Sequence, residues 1–325
     1  MTNPNAYLIK DILKAELKAT RDGFGEGLIL AGEKNKNIVV VCADVSESTR
    51  ADGFKKKFPE RFVEVGVAEQ NMASVAAGMS FAGKIPFVSA YAVFNPGRNN
   101  EQIRTNIAYT KANVKIAGSH AGVTVGQDGA THQALEDIGL MRMLPNMTVV
   151  VPCDAEEAKK ATVAISKTQG PAYLRFFRNK TPVITTSNTK FEIGKAEVFK
   201  EGKDAVIFAC GPLIYNSLLA AMELEKERIS VAVVNVHTIK PLDKDVILKY
   251  AHNTRAVVTV EEHQIAGGFG SAISEFFAKE FPVPMEFVGV DDKFGESGKP
   301  EKLIEKYGIG VEFISKAVKK VFNKR

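Results

Sequence analysis

The eleven residues Phe62-Val63-Glu64-Val65-Gly66-Val67-Ala68-Glu69-Gln70-Asn71-Met72 hold a β-branched run, one glycine and the first turn of a helical pattern. The run over 62–65 has the length of a buried strand. A helix is predicted over 68–82, kept thin by Ala76-Ala77-Gly78. Outward from this stretch the same alternation repeats. Apolar runs at 38–42, 86–89, 114–117, 148–151 and 172–176 are separated by helical patterns such as 97–112 and 155–167. Strands apolar on both faces, with helices between them, predict an α/β fold with a mostly parallel sheet flanked by helices. Glu69 then stands in a helix first turn at the C-terminal edge of the sheet, where such folds bind ligands. An acidic residue there also suits the helix dipole, so its position alone does not make it functional.

The rhythm breaks where Thr181-Pro182 and Ser187-Asn188 fall among scattered charges, then resumes. Residues 1–180 are read as a first domain, 181–203 as a linker and 204–325 as a second α/β domain. The second domain has predicted strands at 205–210, 231–236, 256–260 and 285–290, and helices at 213–226, 244–251, 270–279 and 311–321.

A chain with 45% apolar and 25% charged residues is globular rather than disordered. The net charge of +5 is modest, and Lys55-Lys56-Lys57 and the tail Lys319, Lys320, Lys324, Arg325 read as solvated helix faces. Nucleic-acid binding would need a basic face with interleaved aromatics or a readout motif, and neither is present. Cys42, Cys153 and Cys210 share no metal-ligand spacing and read as buried, reduced thiols. No apolar run approaches the ~20 residues of a membrane span. The N-terminus is polar and leads into a Lys-rich amphipathic stretch, so a soluble, cytoplasmic protein is expected.

Four further features could carry chemistry. Gly118-Ser119-His120 and Gly122 through Gln133 put His120, Asp128 and His132 in one glycine-rich loop after a strand. Glycines let backbone approach a ligand closely, and histidines move protons near neutral pH. The aromatics Tyr91 and Phe94 follow the strand at 86–89, a spacing more often seen in a core. Arg21, Arg50, Arg175 and Arg178 sit near element ends, where several could converge on one phosphate. Ala266-Gly267-Gly268-Phe269-Gly270 is favoured as tight helix–sheet packing and lacks the dinucleotide spacing.

In this order and at these distances the features resemble the transketolase family over nearly the whole chain. The run Ser119 to Gln133, followed by Leu144-Pro145-Asn146-Met147 and Pro152-Cys153-Asp154, is the most specific match. The resemblance implies a pyrimidine-binding domain for thiamine diphosphate, then the family's C-terminal domain. It puts the cofactor glutamate on Glu69 and the aminopyrimidine pocket on Tyr91 and Phe94, with Asp44 on the cofactor side of the channel. Sugar-phosphate binding falls to Arg21, Ser48, His120 and Arg178, acceptor binding to Asp128, and the histidine beside the reacting carbon is His132. Whole transketolases also carry a diphosphate-binding domain whose Gly-Asp-Gly motif and later Asn hold the metal. This chain has no such arrangement, and Gln127-Asp128-Gly129 lies inside the substrate loop. The resemblance therefore implies a C-terminal subunit whose N-terminal-half partner supplies the Mg2+ or Ca2+ ligands, in a heterotetramer. The spacing from Phe94 to Arg98 is one residue longer than in many relatives, which leaves Arg98 unassigned.

The activity implied is transfer of a two-carbon ketol unit between sugar phosphates, as in the pentose phosphate pathway. Two alternatives stand beside it. The beta subunit of a 2-oxoacid dehydrogenase's decarboxylating component has nearly this length, but its counterpart loop lacks the run 127–132. A non-catalytic subunit that kept the fold would be expected to lose Glu69 or the histidines first. The sequence leaves open the preferred donor and acceptor sugars.

Overall fold

A computed structural model describes residues 2–324. The elements follow in chain order. The strand β1 (Leu17–Ala19) leads into α1 (Thr20–Lys34), β2 (Ile38–Cys42), α2 (Ser46–Thr49), α3 (Asp52–Lys57), β3 (Phe62–Glu64) and α4 (Glu69–Phe81). Next come β4 (Ile85–Tyr91), α5 (Asn100–Gln102), β5 (Lys115–Ser119), α6 (Asp137–Arg142), β6 (Thr148–Val150), α7 (Ala155–Ile165), β7 (Ala172–Arg175), β8 (Lys180–Pro182) and β9 (Glu197–Lys200). The remainder is β10 (Ala205–Ala209), α8 (Leu213–Lys226), β11 (Val231–Asn235), β12 (Thr238–Lys240), α9 (Lys244–Thr254), β13 (Val257–Gln264), α10 (Phe269–Glu280), β14 (Met285–Val290), α11 (Pro300–Lys306) and α12 (Val311–Phe322).

Among the described residues these strands form a seven-stranded sheet, ordered β12-β6-β7-β5-β4-β2-β3, and a five-stranded sheet, ordered β14-β13-β10-β11-β9. All neighbours in the first are parallel except β12, and in the second except β9. The central strands are buried on both faces, as their continuous apolar runs require. The fold is α/β with mostly parallel sheets flanked by helices.

Two expectations need correction. The region 181–203 is not a free connection: β8 pairs with β1, and β9 joins the second sheet as its antiparallel edge. The helix expected over 97–112 is a turn, the short α5 and a π-helix over Ile103–Tyr109. The N-terminal stretch before β1 holds two 3-10 turns, Pro4–Ala6 and Ile12–Lys14.

The long helix α1 had no clear sequence signal. It carries Gly23, Gly25, Gly27 and Gly32, which argue against a helix. A Cβ at Gly23 would lie 1.9 Å from the Ala155 carbonyl oxygen, and one at Gly27 would lie 2.6 Å from that of Lys159. The glycines let α1 lie directly on α7.

The basic clusters are surface features with partners. Lys56 pairs with Asp52, Lys57 with Glu33, Lys319 with Glu227, and Lys320 and Lys324 with Glu286. Arg325 lies outside the described residues. All three cysteines are buried and free. Among the described residues no helix is long and apolar enough to cross a membrane.

Candidate active site

The adjacent parallel strands β3, β2, β4, β5 and β7 all end on one edge of the first sheet. Five of the candidate residues leave this edge: Asp44 after β2, Glu69 after β3, Tyr91 at the end of β4, His120 after β5 and Arg178 after β7. Parallel order gathers them, although they span more than a hundred residues of chain.

Glu69 is the first residue of α4 and is 2% exposed. Its Oε2 accepts from Arg98 Nη1 at 2.7 Å, and the Arg98 guanidinium lies 4.4 Å from the Phe94 ring centroid. Arg98, unassigned from sequence, thus belongs to the site. The intervening loop is fixed by two buried amides. Asn95 Nδ2 donates to the Val88 carbonyl at 3.1 Å, and Asn99 Nδ2 donates to the Glu69 carbonyl at 3.1 Å and to Asn95 Oδ1 at 3.0 Å. A Cβ on Gly97 would lie 2.0 Å from the Val93 carbonyl oxygen, so this turn needs glycine.

Four rings adjoin. Tyr91 stacks on His120 at 4.1 Å and faces Phe94 at 6.2 Å, while His132 stands edge-on to Phe94 at 5.5 Å and to Tyr91 at 6.1 Å. The structure therefore brings Tyr91, Phe94, His120 and His132 into one aromatic wall. His120 has a left-handed backbone, φ 57°, and its Nδ1 lies 2.7 Å from Ser119 Oγ. Burial, reinforced by the charges of Arg21 and Arg178, pushes the His120 imidazole down to about 3. The ring is neutral at physiological pH, and with its proton on Nε2 it accepts from the Ser119 hydroxyl at Nδ1.

The cationic part of the site surrounds that ring. Arg178 Nη1 donates to Asp128 Oδ2 at 3.0 Å and to the Val125 carbonyl at 3.2 Å. Arg21 Nη1 donates to the Ser48 carbonyl at 2.9 Å, so the contact of Ser48 with Arg21 is made by backbone. Arg21 Nε is buried with no hydrogen-bond partner, and burial together with Arg50 lowers the Arg21 guanidinium from its ordinary value. Arg50 itself is held by Asp22 Oδ1 at 2.7 Å. A half-buried guanidinium with an unsatisfied N–H beside two more arginines is a place suited to an anion.

Two candidates stand apart. Asp44 is exposed beyond the end of β2, with φ 56°, and its N–H donates to Glu64 Oε1 at 2.8 Å. Arg175 is not available to a phosphate. It is 1% exposed, paired with Asp137 at 2.8 Å, and donates to the carbonyls of Ala134 and Glu262.

A buried carboxyl beside an aromatic wall fits an aminopyrimidine ring, which offers a ring nitrogen to a carboxyl and a flat face to aromatics. Among the described residues no group of three or more His, Cys, Asp or Glu side chains could hold a metal ion.

Comparison with known proteins adds to this geometry. Residues 16–183 match the transketolase pyrimidine binding domain, and residues 194–314 match the transketolase C-terminal domain. A putative transketolase C-terminal section from Methanocaldococcus jannaschii is 43% identical over 309 residues, covering 94% of this chain and 97% of that protein. A 6-deoxy-6-sulfo-D-fructose transketolase subunit from Clostridium sp. (strain MSTE9) is 38% identical, covering 96% and 97%. A solved split gene transketolase, described as an inactive beta4 tetramer, superposes with a TM-score of 0.88 at 46% identity, covering 94% of this chain and 98% of that one. The order of the site residues along one sheet edge and these likenesses agree: the chain belongs to the transketolase family and corresponds to its pyrimidine-binding and C-terminal domains.

Proposed function

We propose that this chain is the C-terminal subunit of a two-chain transketolase, moving a two-carbon ketol unit from a ketose phosphate to an aldose phosphate. The observation that carries this reading is buried Glu69 beside the wall of Tyr91, Phe94, His120 and His132, with Arg21 and Arg178 around it. Thiamine diphosphate, when bound, would supply nucleophilic-carbon chemistry for two-carbon transfer. Glu69 would hydrogen-bond the aminopyrimidine ring nitrogen, and Arg98 keeps its carboxyl in place. Tyr91 and Phe94 flank the ring, and Asp44 lies toward the cofactor side. His132 moves a proton at the two-carbon unit, and Asp128 accepts from an acceptor hydroxyl. Arg21, Ser48, His120 and Arg178 anchor the phosphate at a distance, and that remote binding orients the reacting carbon.

In this reading the diphosphate and its Mg2+ or Ca2+ are held by an N-terminal-half partner in a heterotetramer, and the reaction belongs to the pentose phosphate pathway of the cytoplasm. The likeness to the Methanocaldococcus jannaschii C-terminal section, covering 97% of that protein, supports the partner. So does the description of the 46%-identical split relative as an inactive tetramer of one chain type. The purified chain alone should give no measurable ketol transfer and bind thiamine diphosphate weakly. Mixing with a partner that carries the diphosphate motif should restore both. Turnover of sugar phosphates by the chain alone would overturn the two-chain reading.

The anchor is tested separately. Arg178→Ala should lower kcat/KM for a phosphorylated acceptor by about 10- to 100-fold, the worth of one charge-assisted hydrogen bond. Glycolaldehyde, too short to reach the anchor, should be nearly unaffected, as should cofactor affinity. Equal losses on both acceptors would remove Arg178 from the anchor.

A further inference from the structure

The loop 122–133 carries Asp128 and His132, yet much of what holds it comes from the second domain. Glu262, in β13, is 3% exposed, and its Oε1 accepts from the Thr124 backbone N–H at 2.7 Å. The loop runs directly over this carboxyl: a Cβ on Gly122 would lie 2.1 Å from Glu262 Oε1. Glu262 is itself fixed from the first sheet, because its carbonyl accepts from Arg175 Nη2 at 2.9 Å. Farther along the loop, Gln133 Nε2 donates to the carbonyls of Val123 and Glu296, both at 2.9 Å. One side of the loop is open. A cleft of about 270 Å3, lined by Thr124, Asn179, Pro212, Glu262 and Pro300 among others, gives Thr124 room to move once its tie is cut.

We propose that Glu262 is a positioning residue for the transfer reaction, acting through the Thr124 N–H to set the loop that carries Asp128 and His132. The catalytic part of this inference rests on the function proposed above; the positioning part does not. The link is short. Thr124 is followed by Val125, whose carbonyl accepts from Arg178, and Arg178 in turn pairs with Asp128. Displacing Thr124 moves Val125, and with it the Arg178–Asp128 pair. A buried N–H left without an acceptor is costly, so loss of the carboxyl drives the loop toward the cleft and water. Burial pushes the Glu262 carboxyl up to about 7, against the opposing pull of the Thr124 N–H. A glutamine carbonyl is therefore a fair replacement near neutral pH, and a methionine fills the space with no comparable acceptor.

Hydrogen–deuterium exchange on the full chain tests the positioning. In Glu262→Met, amides from Gly126 to His132 should exchange at least about 10-fold faster, with the second sheet unchanged. Glu262→Gln should stay near wild type. Gly122→Ala, which pushes on the same carboxyl from the loop side, should resemble the methionine variant and serves if that variant does not fold. In the complex with the partner chain, Glu262→Met should raise KM for a phosphorylated acceptor and lower kcat, leaving cofactor affinity unchanged, with Glu262→Gln rescuing both. Unchanged loop exchange in a folded Glu262→Met, or identical behaviour of Met and Gln, overturns the proposal. A wild-type complex without ketol transfer overturns the proposed function instead, and the exchange data still decide the role of Glu262.

Discussion

Glu69→Gln, in the assembled enzyme, slows exchange of the cofactor's C2 proton for deuterium by about 100- to 10,000-fold, the usual worth of a positioned proton-transfer group. That is the expected result, and it follows from what surrounds the residue. One oxygen of the carboxyl is held by Arg98 at 2.7 Å, and the side chain is almost fully buried at the start of α4. An amide in the same place keeps the shape and can still accept from Arg98, but it has no acidic proton to share with a ring nitrogen. Folding and assembly should therefore survive while cofactor activation fails. The measurement is quenched-flow exchange followed by proton NMR of the released cofactor. Wild-type rates in a folded, cofactor-loaded variant would reduce Glu69 to a helix-end acid with no catalytic part.

The second large effect is on stability. Asp137→Ala should cost about 3–5 kcal/mol of unfolding free energy, because it leaves a buried guanidinium without its counter-charge. Arg175 and Asp137 are each 1% exposed, joined at 2.8 Å, and Tyr173 donates its hydroxyl to the same carboxyl at 2.6 Å. Burial by itself would raise the Asp137 carboxyl, but the adjoining Arg175 outweighs it and holds the group below the usual carboxylate range. The stability this pair contributes is therefore present above the ordinary carboxylate pKa and is lost as pH falls through the lowered value. Urea unfolding at neutral pH decides the matter. A loss below about 1 kcal/mol would mean that water enters and solvates Arg175 when its partner is removed.

Much of the candidate site's grouping was legible because a parallel sheet converts sequence order into spatial neighbourhood. Once β2 to β5 and β7 were recognised as parallel strands, the residues that follow them had to share an edge. What the sequence hid were contacts that no local pattern encodes. Arg98 reaches Glu69 across 29 positions of chain, and nothing in its immediate surroundings marks it. Arg175 and Arg178 are three residues apart in similar settings, yet one is sealed between two sheets and the other half-exposed beside Asp128. Their roles are separated by Asp137 in the first domain, which pairs with Arg175, and by the Glu262 carbonyl of the second, which also accepts from it. The helix α1 was obscured by its glycines, whose propensity argues against a helix while their lack of a side chain is what lets α1 seat against α7. The π-helix at Ile103–Tyr109 carries an apolar pattern that reads as ordinary α-helix, since one extra residue per turn leaves little trace in so short a stretch.

The strand β12 gives the molecule a property that neither sheet has alone. It comes from beyond β11, in the second half of the chain, yet it pairs with β6 and so finishes the border of the first sheet. A polypeptide severed between the two halves would leave the first with a bare row of β6 backbone groups, inviting strands from other molecules. A cut at that junction should therefore destabilise the first half, although the two family matches part there, between residues 183 and 194. The two halves match separate family models, yet backbone hydrogen bonds between β12 and β6 tie the second half to the sheet of the first.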